Sequence, residues 1–233
     1  MFQARRIALA LALLVALPGI GEARRHGQQN QGGDEPGQFD YYVVAMSWSP
    51  TYCAGAGGER GGGEQCNGSR PFAFVLHGLW PQNNRGWPES CNTGERPWVP
   101  DSTISGMLDI MPSKKLIIHE YQKHGTCSGL APDAYFDTAR KLYNSIKIPE
   151  RYKQLDRPLQ VSPGEVVKDF TAANPELKPD MIAVSCGDRR LKELRVCFGR
   201  DLKLRACGDN ENASKLCSTD QVVMPPVRAG RGN

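Results

Sequence analysis

The sequence predicts an α+β fold, a central and mostly antiparallel β-sheet with helices packed around it and disulfides to stabilise it. Three observations lead there. Strand-like and helix-like segments are interspersed without the regular rhythm of a βαβ protein. All eight cysteines follow an apolar N-terminal run that reads as an export signal, so they are expected to meet an oxidising compartment. The chain left after that signal, about 210 residues, is the size of one domain.

The N-terminal segment comes first. Met1–Arg6 carries two arginines, Ile7–Ile20 is almost wholly apolar, and Gly21-Glu22-Ala23 supplies small residues where a signal peptidase reads. A cleavable signal peptide is expected over residues 1–23, with a secreted or periplasmic destination. The apolar run is too short to cross a bilayer comfortably, and no later stretch approaches the roughly 20 apolar residues that a crossing needs. A membrane protein is therefore excluded, and no membrane contact is expected once the signal is removed. The remaining chain has a net charge of about +3, too weak for a polybasic wrapper of nucleic acid. Residues 24–37 are polar and glycine-rich, include His26, and are expected to be a disordered leader. The domain proper is placed at 38–224, with a tail at 225–233.

Within the domain, Phe39–Trp48 is rich in β-branched and aromatic residues and predicts a strand. Ala54–Gly63 holds six glycines but lacks the Gly-Lys-Ser/Thr ending of a phosphate loop, so it reads as a flexible connection. Phe72–Leu76 is a short apolar run, a buried strand that delivers His77-Gly78-Leu79-Trp80-Pro81 at its end. A helix is expected over Ser113–His124, between Pro112 and Gly125, and another over Asp133–Ile146. Ser162-Pro163-Gly164-Glu165 is a capping-box signature for a helix ending near Ala173. Met181–Cys186, Glu193–Phe198 and Leu202–Cys207 read as three further strands.

Zinc is the competing use of the cysteines. It favours ligand pairs two to four residues apart, and here no two cysteines have fewer than nine residues between them. Disulfides are preferred, although eight cysteines allow on the order of a hundred pairings. Cys53 and Cys66 flank the glycine-rich loop, and Cys197 and Cys207 flank an apparent hairpin nested inside Cys186 and Cys217.

The chemistry concentrates on Ser113–His124. At about 100° per residue, His119, Glu120, Lys123 and His124 share one face of roughly 140°, with Ile117, Ile118 and Tyr121 on the neighbouring arc. Lys123 and Glu120, three apart, also fit an ordinary surface ion pair. A solvated face would seldom hold half of the chain's four histidines. The zinc-protease signature needs histidines four apart; His119 and His124 are five apart with Lys123 between them, so no metal site is expected. No Gly-x-Ser-x-Gly elbow is present.

Two histidines, a lysine and a glutamate supply what cofactor-free cleavage of a phosphodiester needs. A neutral imidazole removes a proton from the attacking hydroxyl, and a protonated imidazole donates to the leaving oxygen. A lysine offsets charge on the phosphorane oxygens. The substrate's own 2′-hydroxyl is the obvious nucleophile, which restricts the reaction to RNA.

Phe74-Val75-Leu76-His77-Gly78-Leu79-Trp80-Pro81 and His119-Glu120-Tyr121-Gln122-Lys123-His124-Gly125-Thr126-Cys127 resemble the two active-site segments of the ribonuclease T2 family, in the right order and with Cys91 between them. The resemblance covers Phe39–Cys217. It implies an exported endoribonuclease that acts on single-stranded RNA through a 2′,3′-cyclic phosphate to a 3′-phosphate end, without metal or cofactor. It makes His77 and His124 the acid–base pair, with His124 taking the 2′-hydroxyl proton and His77 protonating the 5′-oxygen. Glu120 and Lys123 support the transition state, His119 holds phosphate, and Trp80 helps form the base pocket. It also implies the pairings Cys91–Cys127, Cys186–Cys217, Cys197–Cys207 and Cys53–Cys66. Tyr121 stands where a tryptophan is usual, and Gln82 where some members carry a base-reading aspartate. The expected enzyme is a monomer with no obligate protein partner; the alternative is a catalytically idle RNA-binding or signalling module on the same fold.

Overall fold

The computed structural model of the protein describes residues 35–55 and 62–228. The expected signal peptide, the leader up to residue 34, the middle of the glycine-rich loop and the last five residues lie outside the described residues. Among the described residues no helix is long and apolar enough to cross a membrane.

Six strands form one sheet: β1 (Tyr41–Trp48), β2 (Phe74–Gln82), β3 (Leu159–Val161), β4 (Ile182–Gly187), β5 (Arg190–Gly199) and β6 (Val222–Met224). Their order is β2-β1-β5-β6-β3, with β4 also paired to β5. Every pairing is antiparallel except a single parallel contact of β5 with β6 at Arg190 and Val223. Eight α-helical segments accompany the sheet among the described residues: α1 (Ser49–Cys53), α2 (Gly63–Asn67), α3 (Asp101–Met107), α4 (Lys114–Glu120), α5 (Thr126–Ser128), α6 (Pro132–Ser145), α7 (Pro163–Ala173) and α8 (Ala213–Leu216).

β1 is apolar at nearly every position because both of its faces are covered. Tyr42, Val44, Met46 and Trp48 point into the main core, where they meet Phe136, Leu142 and Phe170 from α6 and α7. Phe74 lies edge-on to Trp48, Tyr152 and Phe170, the offset geometry that aromatic rings prefer. Tyr41, Val43 and Ala45 point the other way and pack with Trp80 and Cys197. That second face carries the site.

Several local expectations shift. The strand expected to end at Leu76 continues to Gln82, so His77 lies inside β2. The helix expected through His124 stays α-helical only to Glu120 and then widens into a π-helical turn at Tyr121–Gly125. Leu202–Cys207 is no strand: Leu204 alone bridges back to Phe198. The α7 capping box forms, with Ser162 and Glu165 each accepting the other's backbone N–H. Short β3 and β6, and helices α1 to α3, carry too little periodicity to be read from sequence.

Disulfides join Cys53–Cys66, Cys91–Cys127, Cys186–Cys217 and Cys197–Cys207. Both ends of the described stretch are tied to the domain. Gly37 N–H donates to Cys127 O at 2.9 Å, and Val227 N–H donates to Leu155 O at 2.7 Å. The Trp48 indole donates to Pro225 O at 3.0 Å.

Candidate active site

Two departures from regular geometry build the site. In the β1–β2 ladder Ala45 faces Gly78 but Met46 faces Leu76, so His77 is an extra, bulged residue with no partner across. A bulge breaks the period of two, which lets His77 and Trp80, three residues apart, reach the same side of the sheet. Their ring centroids are 5.2 Å apart.

The second departure is the π-helical turn after α4, where Thr126 N–H reaches back five residues to Tyr121 O. Gln122 O, which an α-helix would pair with Thr126 N–H, accepts from the Thr126 hydroxyl instead. Gly125 permits the turn: a Cβ there would overlap the Tyr121 ring. The wide turn undoes the 100° spacing assumed from sequence, and it sets His119, Lys123 and His124 along one cleft. The loop after β2 is held against this turn by Cys91–Cys127 and by Ser90 N–H donating to Lys123 O at 2.7 Å.

Helix meets sheet at Glu120, which is buried although ionisable. Its Oε2 accepts the Trp80 indole N–H at 2.7 Å and its Oε1 lies 3.6 Å from His77 Nε2. Gly78 leaves the room, since a Cβ there would overlap Glu120 Oε2 and sit 2.5 Å from Trp80 Nε1. Lys123 does not pair with Glu120; its Nζ lies 3.3 Å from Glu89 Oε2. His124 also packs against Trp80, ring centroids 5.3 Å apart and planes tilted by 33°.

The remaining partners come from β5. His77 Nδ1 bonds Glu193 Oε1 at 2.5 Å. Arg195 holds the other oxygen of Glu193, with Nη2 at 3.1 Å and Nε at 3.3 Å, and lays its guanidinium over the Trp80 ring at 4.9 Å. Arg195 Nη1 also faces Glu211 Oε1 at 3.8 Å, and Glu211 Oε2 accepts the Tyr41 hydroxyl. Neither Glu193 nor Arg195 was singled out from sequence. The alternation Glu193-Leu194-Arg195-Val196 was legible, but a polar strand face is ordinarily solvated, and only the covering of this face reveals otherwise.

These contacts push the two imidazoles in opposite directions. Burial disfavours charge on His77, but the Glu193 hydrogen bond and the fields of Glu120 and Glu193 outweigh it and raise its pKa. Burial lowers His124 to about 3, assisted by the charges of Lys123, His77 and His119. Its Nδ1 is buried with no hydrogen-bond partner among the described residues, so nothing there stabilises a second proton. Burial raises Glu120 against the opposing pull of His77 and Trp80. Glu193 is held down at about 2, burial being overcome by His77 and Arg195.

The cleft above these groups has a volume of about 600 Å³. His119 stands exposed at its rim, and Trp80 forms its floor at only 9% exposure, its ring flanked by Arg195 and His124. The accessible aromatic surface is Trp87, 51% exposed and missed in the sequence reading. Gln82 is buried, its Oε1 accepting from Asn210 Nδ2 at 2.9 Å.

Comparison with known proteins finds ribonucleases. A ribonuclease of Aeromonas hydrophila is 40% identical over 138 residues, which cover 59% of this chain and 60% of that protein. A probable ribonuclease of Haemophilus influenzae is 31% identical over 180 residues, 72% of this chain and 61% of that one. The matches thus span about three-fifths of the length of both relatives. Among solved structures, a variant of RNase MC1, an enzyme from bitter gourd seeds, in complex with 5′-UMP shares the fold at a TM-score of 0.57. It is 23% identical and covers 71% of this chain and 91% of its own. The model of the ribonuclease T2 family matches residues 39–207, most of the chain and both histidine-bearing segments, and the chain belongs to that family.

Proposed function

We propose that this protein is an exported endoribonuclease that cleaves single-stranded RNA by cofactor-free and metal-independent acid–base catalysis. The observation that carries the reading is two imidazoles brought into one cleft against Trp80, with the pKa of His77 raised by Glu193 and Glu120 and that of His124 lowered by burial. A general acid and a general base must start in opposite states, and each contributes about 10²–10⁴-fold.

In the forward step His124 takes the 2′-hydroxyl proton as the 2′-oxygen bonds to phosphorus. The P–O5′ bond breaks, its electron pair stays on O5′, and His77 supplies the proton that O5′ needs. The product is a 2′,3′-cyclic phosphate, hydrolysed more slowly to a 3′-phosphate. Lys123 offsets charge on the phosphorane oxygens. Glu120 keeps the His77 and Trp80 rings in place, and His119 meets a phosphate at the rim. Trp80 forms the floor under the reacting groups, while Trp87 offers the surface on which a base can stack.

The test is cleavage of a mixed-sequence oligoribonucleotide in excess EDTA, with mapping of product ends. Cyclic phosphates appearing first support the reading; RNA binding without turnover, or 5′-phosphate ends, defeats it. N-terminal sequencing of the exported protein tests processing after residue 23.

A further inference from the structure

We infer that Glu193, clamped by Arg195, is the positioning residue that holds His77 in the state of a general acid. The inference rests on the proposed ribonuclease reading. It starts from a 2.5 Å bond between Glu193 Oε1 and His77 Nδ1. An ionised carboxylate only accepts, so Nδ1 must carry a proton, and the proton that can leave is on Nε2.

Glu193 has little freedom to do otherwise. Its Oε2 is held by both Nε and Nη2 of Arg195, which leaves Oε1 for the imidazole. Arg195 lies in turn over the Trp80 ring, with Nη1 3.8 Å from Glu211 Oε1, and the other Glu211 oxygen accepts the Tyr41 hydroxyl. Across the ladder Glu193 and Arg195 face Ser47 and Ala45, small residues that leave these long side chains room. The bulge at His77 brings its ring over β1 to meet them.

The charged groups around His77 come from every element packed on it. Glu193 and Arg195 stand on β5, Glu120 at the end of α4, Lys123 and His124 on the π turn, and Glu211 on the turn after Cys207. Glu120 also favours the imidazolium, but from the Nε2 side, the side that must release the proton. Glu193 alone bonds the nitrogen that stays protonated throughout. In the step itself Nε2–H passes its proton to O5′ as the P–O5′ bond breaks, while Nδ1–H stays on His77 and Glu193 takes no proton. This division of labour between ring nitrogens is one that a buried carboxylate serves in other acid–base sites.

The decisive variant is Glu193→Gln, assayed on two substrates. A dinucleotide with a 5′-nucleoside leaving group needs the acid, whereas a uridine 3′-(4-nitrophenyl phosphate) has a leaving group that departs without a proton. The expected loss in kcat is about 10–100-fold on the dinucleotide and under about threefold on the aryl ester, with KM little changed on either. The basic limb of the dinucleotide profile moves to lower pH, and Glu193→Asp, which keeps the charge, restores part of the rate. Equal losses on both substrates, or an unmoved basic limb, overturn the inference.

A second measurement needs no variant. In ¹⁵N-imidazole spectra of the whole protein, His77 is expected to keep Nδ1 protonated in both its charged and its neutral form. A neutral tautomer protonated at Nε2 overturns the inference, including in the event that Glu193→Gln does not fold. If the wild-type protein turns over neither substrate, it is the ribonuclease reading that fails, and the tautomer still tests the pair.

Discussion

The Trp80 indole donates to Glu120 Oε2 at 2.7 Å, and this bond ties the sheet to the end of α4, just before the turn that carries His124. It exists because Gly78 has no side chain. Gly78→Ala is expected to cost about 1–3 kcal/mol, since the new methyl group meets a buried carboxylate and an indole that cannot both withdraw. Activity is expected to fall with it. Gly106→Ala is the control: it is exposed in α3 with open space around it, and should stabilise by about 0.4–1 kcal/mol. Urea unfolding of the two variants checks the pair, and equal shifts of the same sign would contradict the close approach.

Activity is expected to follow a bell in pH. His124, lowered to about 3, is already neutral when Glu120, raised above the ordinary 4.5, ionises, so Glu120 sets the acidic limb. His77 is raised above 6.5, and loss of its proton sets the basic limb above that value. The kcat/KM profile on a dinucleotide measures both limbs of the free enzyme. A decline beginning below pH 6.5 would contradict the placement of His77 between two carboxylates.

His124 also makes stability depend on pH, with a definite sign. Its pKa is lower in the folded state than in the unfolded chain, so between about 3 and 6.5 the unfolded state binds more protons. The folded state is therefore favoured above 6.5 and loses that advantage as pH falls toward 3. Relative to His124→Phe, the wild-type protein should lose about 1.4 kcal/mol per pH unit across this range. Denaturant unfolding of both proteins at several pH values reads the difference, and groups common to both cancel. A constant difference would show that the ring titrates freely.

Replacing Cys91 and Cys127 together by alanine should cost about 2–4 kcal/mol and also lower kcat/KM. The bridge holds the loop after β2 against the turn that carries Lys123, so its loss loosens the cleft. Cys53 and Cys66 close a shorter loop away from the cleft. Removing them is expected to lower stability with kcat/KM unchanged. Thermal unfolding and steady-state kinetics on the two double variants separate the outcomes.

The sequence by itself determined the candidate groups of the site. Phe72–Leu76 announced a buried strand with His77 just beyond its end, and His119-Glu120 with Lys123-His124 announced a polar helix face, because local apolar and polar patterns are written residue by residue. The α7 capping box was legible for the same reason. What only the tertiary structure decided was the direction in which the pKa values of those groups are pushed and the company they keep. The bulge at His77 and the π turn at Tyr121–Gly125 break the very periods from which a sequence is read, so their geometry could not be foreseen. Glu193 and Arg195 lie more than 65 residues beyond His124 and become part of the site only because β5 pairs with β1 and lays its polar face against Trp80. Charge on a buried ring depends on which neighbours surround it in space, and that is settled by long-range strand pairing and packing rather than by adjacency in the chain.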